Sequence, residues 1–300
     1  MSLLRSATAA LAIASLALFA CGHAEPKPKE PEPPKPDLLL PVLGHDAQEK
    51  ETRAVLQELV KNLPPDQKSR VEKIPLVFEK SSEVNAFAGC DDKGPFIAGT
   101  TGLLDIANGI AQTLATDELR GPTSKTYDAY LKVAVDKVLD DKPNLFYDLG
   151  NLPPDVGLDK ARLSRAHEIF DDIVAFTFGH ELAHHYLGHT PCATKTPLER
   201  DLANLGNIFT NFAPILNQPA EIAADQNGIF NVLFTGRARG TLHPLTDRGA
   251  RLLLTFFAEL EDAAGGGNRS FLKNFLSTHP PSPLRLRVLD EAIARWRQGQ

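Results

Sequence analysis

Residues 180–184 read His-Glu-Leu-Ala-His, two imidazoles enclosing a carboxylate at H-E-x-x-H spacing. On a helix, positions four apart lie about 40° apart around the axis. His180 and His184 therefore share a face and can reach the same ion, while Glu181 stands beside it. Neutral imidazole is a good zinc ligand, and a carboxylate at the edge of a zinc site can act as a base toward water. The spacing predicts zinc-assisted hydrolysis, with His180 and His184 as ligands, Glu181 as base and a single Zn2+ per chain. The competing reading is a helix whose polar residues only pack.

Catalytic zinc usually takes three protein ligands and keeps a position for water. On a continuing helix His185 and His189 point about 140° and 180° away from His180, so both read as packing or cap residues. Glu199 follows Thr196 at capping-box spacing, which accounts for it without metal. Glu221 fits better. Asn217 and Pro219 offer a helix start, and Glu221 and Asp225 then fall on one face at i and i+4. One carboxylate can bind the ion while the other orients an imidazole; otherwise the pair lines a solvated face.

The elements that must hold these residues follow from periodicity. A long helix is expected over 159–187, with Leu163, Ala166, Phe170, Ile173, Val174 and Thr177 as its buried stripe and Gly188 at its C-terminal cap. Further helices are expected over 46–62, 103–114, 127–139, 198–212, 219–233, 248–261, 271–276 and 283–297. Residues 74–80, 84–89 and 95–100 are β-prone, the last two separated by the turn-forming Asp91-Asp92-Lys93-Gly94. The pattern is α+β, mainly helical, with a small antiparallel sheet and one domain over 44–300. No internal repeat is present.

The first forty residues carry a different signal. Arg5 precedes an apolar run that stops at Cys21, the layout of an export signal over 1–20 that is too short to span a bilayer as an anchor. Leu18-Phe19-Ala20-Cys21 resembles the lipobox of bacterial lipoproteins, which implies diacylglycerol and palmitate on Cys21 and attachment to a membrane through lipid. Residues 21–43 form a Pro-, Lys- and Glu-rich linker expected to run extended. No later segment has the length of apolar sequence a membrane helix needs, so the mature domain is expected to be soluble. Net charge of -6 and a pI near 5.9 exclude a broad basic patch and argue against a nucleic-acid partner. With Cys21 acylated, Cys90 and Cys192 remain, and in an oxidising compartment that even remainder invites a disulfide; two free buried thiols are the alternative.

The chain resembles the HtpX-like and CAAX prenyl protease-like zinc metallopeptidases, in the gluzincin group, over roughly Ile74 to Leu289. The parts that carry the resemblance are Val84-Asn85-Ala86-Phe87-Ala88, Thr100-Thr101-Gly102-Leu103-Leu104, His180 to His189, Glu221-Ile222-Ala223-Ala224-Asp225, and Thr278-His279-Pro280-Pro281 followed by Arg285. It implies a zincin-type domain in which His180, His184 and Glu221 bind zinc, Glu181 is the base, and Asn85, Ala86 and Phe87 border the substrate cleft. It further implies that Asp225 orients a histidine and that His279 and Arg285 serve the oxyanion or position the site. His243-Pro244 with Arg248 is the competing segment for that last role. Family geometry would also bring Cys90 and Cys192 together. Unlike the polytopic relatives, the chain is similar to stand-alone periplasmic members associated with envelope protein quality control, with protein or peptide substrates and, by resemblance, an outer-membrane location. A zinc-holding chaperone or assembly lipoprotein without proteolysis is the alternative.

If lipid on Cys21 is the attachment, Cys21→Ala moves the protein from the membrane fraction to the soluble fraction on ultracentrifugation. Membrane association unchanged by the substitution would overturn it.

Overall fold

The computed structural model describes residues 37–140, 157–190, 192, 218–265 and 279–299. The expected export signal, Cys21, most of the linker, the helices at 198–212 and 271–276, Glu199, Asn217 and Thr278 lie outside the described residues.

Helix α1 (His45–Lys61) buries Val55, Leu56 and Leu59 and ends before Pro64-Pro65, as its pattern requires. Pro65 then sits in the first turn of a short helix that periodicity did not suggest, α2 (Pro65–Val71), where a missing N–H costs nothing. Strands β1 (Leu76–Glu79), β2 (Ala86–Asp91) and β3 (Gly94–Thr100) follow. After them come α3 (Thr101–Arg120), α4 (Thr126–Leu139), α5 (Lys160–Tyr186), α6 (Gln218–Arg239), α7 (Arg248–Ala264) and α8 (Ser282–Gln298). The α+β, mainly helical class is as expected. No helix among the described residues is long and apolar enough to cross a membrane.

The sheet corrects one expectation: it is mixed, not antiparallel. Its order is β1-β3-β2, with Leu76 to Glu79 parallel to Ile97 to Thr100 and Ala86 to Asp91 antiparallel to Gly94 to Gly99. The connection after β1 is drawn onto the start of α3, where the Ser81 carbonyl accepts from the Gly102 amide at 2.8 Å and the Thr101 hydroxyl at 2.9 Å. Held there, the chain passes the end of β3 and returns on its far side instead of folding back on β1. Gly102 is required at this crossing, since a Cβ would lie 2.4 Å from the Glu83 carbonyl. The β2–β3 turn is tied by Asp91, whose carboxylate accepts from the amides of Lys93 and Gly94.

Helix α5 is the spine, packed chiefly on α6 and α3 and then on α7 and α1. The expected apolar stripe is buried, but so is nearly every other side chain from Arg162 to Tyr186. A helix covered on all sides has no exposed face to reveal by periodicity. Polar groups in it are therefore paired across helices: Asp172 accepts from the amide and hydroxyl of Thr246 at 2.7 and 2.6 Å, next to the start of α7.

The described structure packs from Asp37 onward. Its first residues lie along α5: the Leu39 amide donates to Ser164 Oγ at 2.8 Å, His167 Nδ1 bonds the Leu40 carbonyl, and Val42 enters the core. Backbone hydrogen bonds to α5 fix this stretch even though its leucines stay largely exposed.

A disulfide joins Cys90, in β2, to Cys192, just beyond α5, with Cα atoms 5.8 Å apart across a sequence separation of 102. It ties the sheet edge to the end of the spine. Replacing both cysteines with alanine is expected to lower stability by about 2–4 kcal/mol in urea unfolding, because so long a loop is freed in the unfolded chain. An unchanged midpoint would show that the bridge constrains nothing.

Candidate active site

The last turns of α5 present His180, Glu181 and His184, all buried, toward α6. Both histidine Nε2 atoms face the carboxylate of Glu221: His180 Nε2 lies 3.4 Å from Oε2 and His184 Nε2 3.2 Å from Oε1, and the two nitrogens are 3.0 Å apart. His279 Nε2 approaches the same carboxylate at 3.3 Å, and Glu181 Oε1 stands 4.0 Å from His180 Nε2.

Helix α6 can bring Glu221 and Asp225 this close because Gly228 rests on the backbone of His180; a Cβ there would be 3.0 Å from the His180 nitrogen. A glycine inside a helix costs about 1 kcal/mol relative to alanine. That cost was the sequence signal for a close approach, and it went unread.

Each zinc-helix histidine is oriented through its other nitrogen. His180 Nδ1–H donates to Asp225 Oδ1 at 2.9 Å. Asp225 is gripped by Arg285, with Nε on Oδ2 at 2.8 Å and a terminal nitrogen on Oδ1 at 2.7 Å. Arg285 thus has its fork engaged behind His180, and it also lines the cavity beside Glu181. His184 Nδ1 contacts His189 Nδ1 at 3.0 Å. Gly188, at φ 80°, ends the helix and turns the chain so that His189, expected only to cap or pack, comes back over His184. His185 is a packing residue, bonded to the Phe96 carbonyl at 2.9 Å and Thr190 Oγ1 at 3.2 Å.

The competing segment is elsewhere. His243 bonds Glu168 and the Asp37 carbonyl near the start of α5, and Arg248 pairs with Glu118. Of the strand residues, Asn85 and Ala86 line the cavity beside His180 and Glu181, while the Phe87 ring packs edge-on against Phe96 at 5.8 Å. The cavity is partly open to solvent, and the apolar part of its wall is built from Leu103, Phe176, Leu253, Leu254 and Phe257. Leu253, Leu254 and Phe257 come from α7, which no motif had marked.

The electrostatics favour a cation. Burial opposes charge on His180, yet the hydrogen bond to Asp225 and the negative Glu221 carboxylate beside it carry it up to about 10. Burial holds His184 and His279 down at about 4. Burial would also raise the two α6 carboxylates, but the imidazoles hold Glu221, and Arg285 holds Asp225, well below the carboxylate range. Glu181 differs, pushed up to about 7 by burial against the pull of His180 and of the Ala88 amide. Both Glu221 oxygens are buried without a well-directed hydrogen bond, an expensive state for a carboxylate that a divalent ion would relieve. Two nitrogens and a carboxylate within 4.8 Å of one another form a zinc-type donor set, so the residues present fit the ion.

Among known protein families, Peptidase family M48 matches this chain over residues 46–293. No curated protein and no solved structure matches it.

If Arg285 and Asp225 act by aiming His180, Asp225→Asn and Arg285→Leu should each weaken zinc affinity about 10–100-fold in chelator competition, with Arg248→Ala leaving it unchanged. Equal affinity in all three variants would remove the positioning role.

Proposed function

This chain belongs to Peptidase family M48, and we propose that it is a zinc-dependent endopeptidase that cuts proteins of a bacterial cell envelope, held at the membrane by lipid on Cys21. The observation that carries the catalytic reading is Glu181. It is a buried carboxylate at the cavity wall, near His180 and the edge of the sheet, raised to about 7. Metal binding alone has no use for such a base; water activation does.

His180, His184 and Glu221 would hold zinc, which supplies a Lewis acid for the scissile carbonyl and acidifies a water. Glu181 accepts the proton of that water and returns it to the departing amine nitrogen. His279, neutral near pH 7 and facing the cavity, can donate an N–H to the oxygen that gains charge. Arg285 and Asp225 keep His180 in the tautomer that leaves Nε2 free.

Substrate alignment is assigned to β2. Among the described residues it is an edge strand, paired only with β3, and the Ala88 amide faces Glu181. An extended peptide laid along Ala86 to Ala88 would bring its carbonyl past the base, with backbone bonds giving affinity and little sequence preference. Such tolerance suits clearance of misfolded chains. The export signal and Cys21 support a periplasmic domain, with the outer membrane as the expected site.

Glu181→Gln is expected to keep the zinc content of the unaltered chain and to cut casein about 10²–10⁴-fold more slowly. Zinc lost along with activity would make Glu181 a ligand. Activity requires ionised Glu181, so kcat/KM should fall as pH drops through its pKa; nearby zinc lowers that value, placing the acid limb below about pH 7. A profile with no acid limb would argue against this base.

A further inference from the structure

About 20 Å along α5 from His180, a second group of donors meets that the peptidase reading does not use. His167 Nε2 lies 3.1 Å from Glu51 Oε1 on α1 and 3.5 Å from Asp171 Oδ1 one turn on. The three donor atoms lie within 4.8 Å of one another. His167 and Asp171 are 6% and 2% exposed, and neither His167 Nε2 nor Asp171 Oδ1 makes a directed hydrogen bond.

Their other atoms are engaged. His167 Nδ1 bonds the Leu40 carbonyl, which accepts only, so Nδ1 carries a proton, and Nε2, which holds either a proton or a cation, faces two carboxylates. Asp171 Oδ2 accepts from Arg239 at 2.9 Å, and Arg239 also donates to Glu58 at 2.6 Å. Three carboxylates, Glu51, Glu58 and Asp171, thus gather around the Arg239 guanidinium.

We propose that Glu51, His167 and Asp171 form a second divalent-cation site, of zinc type by its mixed nitrogen and oxygen donors, that clamps α1 and the segment through Leu40 onto α5. A histidine whose second nitrogen donates to a backbone carbonyl is the arrangement metal-ligating histidines take, and Glu51, the most exposed of the three, leaves room for water to complete the shell. The role is structural, at the opposite end of the spine from Glu181. The competing occupant is a proton on His167, forming an imidazolium between the carboxylates.

The test uses the full-length chain, stripped with chelator, reloaded with Zn2+, gel-filtered and analysed for zinc by mass spectrometry. The unaltered protein should hold two zinc ions; Glu51→Gln, His167→Gln and His184→Ala should each hold one. Addition of Zn2+ should also raise the Tm of His184→Ala but not of a His184→Ala, Glu51→Gln double variant. Circular dichroism checks folding, and Glu51→Gln, the mildest change, decides if His167→Gln unfolds. One zinc in the unaltered chain that vanishes in His184→Ala and stays in Glu51→Gln overturns the second site and leaves the peptidase site standing. One zinc that vanishes in Glu51→Gln and stays in His184→Ala would instead sink the peptidase site. Two ions retained in Glu51→Gln overturn the clamp.

Discussion

Where α5 meets α6, Gly228 lies against the backbone of His180, and the side chains one and two turns earlier on α6 reach the zinc helix because of that contact. A side chain at this point would hold the helices apart by a few tenths of an ångström or more. Ion-binding geometry tolerates little of that. Asp225 then meets His180 Nδ1 and Glu221 meets both Nε2 atoms. The approach of these two helices sets the distance on which the rest of the site depends.

Around that contact runs a buried polar chain, Arg285 to Asp225 to His180, with Glu221 and Glu181 beside it. Burying these charges is costly, and removing one partner of such a pair commonly costs about 3–5 kcal/mol. The arrangement returns orientation rather than stability. Arg285 fixes the Asp225 carboxylate with two hydrogen bonds, and Asp225 fixes the imidazole tautomer. His189 meets His184 on the other side. At Glu181 burial and the nearby Glu221 charge outweigh the pull of His180, while at Asp225, one helix away, the direct Arg285 pair holds the carboxylate low. Two carboxylates in one site are thereby given different protonation tendencies.

Helix α5 carries polar clusters at both ends, and the elements packed on it differ accordingly. At its C-terminal end it meets β2, α6 and the residues before α8. At its N-terminal end it meets Asp37 to Val42, α1 and Arg239 of α6. Cys192 extends the first set by binding the sheet edge to the end of the helix. A spine buried on every side transmits position along its length with little freedom to bend, since surrounding side chains leave no room for it.

Local pattern determined a good deal. The H-E-x-x-H spacing, the helix around it, the cap at Gly188, the pairing of Glu221 with Asp225 on one face and most helix positions follow from rules acting over a few residues. Helix α2 after Pro65 and the stretch from Asp37 to Val42 leave no periodic signal, the one opened by a proline in its first turn and the other held by backbone hydrogen bonds. The mixed sheet depended on where Ser81 found partners, twenty residues on in α3. Sequence pattern suggests an oxyanion or positioning role for Arg285, but its pairing with Asp225, sixty residues away and next to His180, is visible only in the structure. His189 faces away from His184 on a continuous helix but meets it once Gly188 ends the helix, and the meeting of Glu51 with His167 and Asp171 has no sequence signature. Spacing specifies which residues share a helix face; what that face meets is decided by packing among helices distant in sequence, and that packing exists only in the tertiary structure.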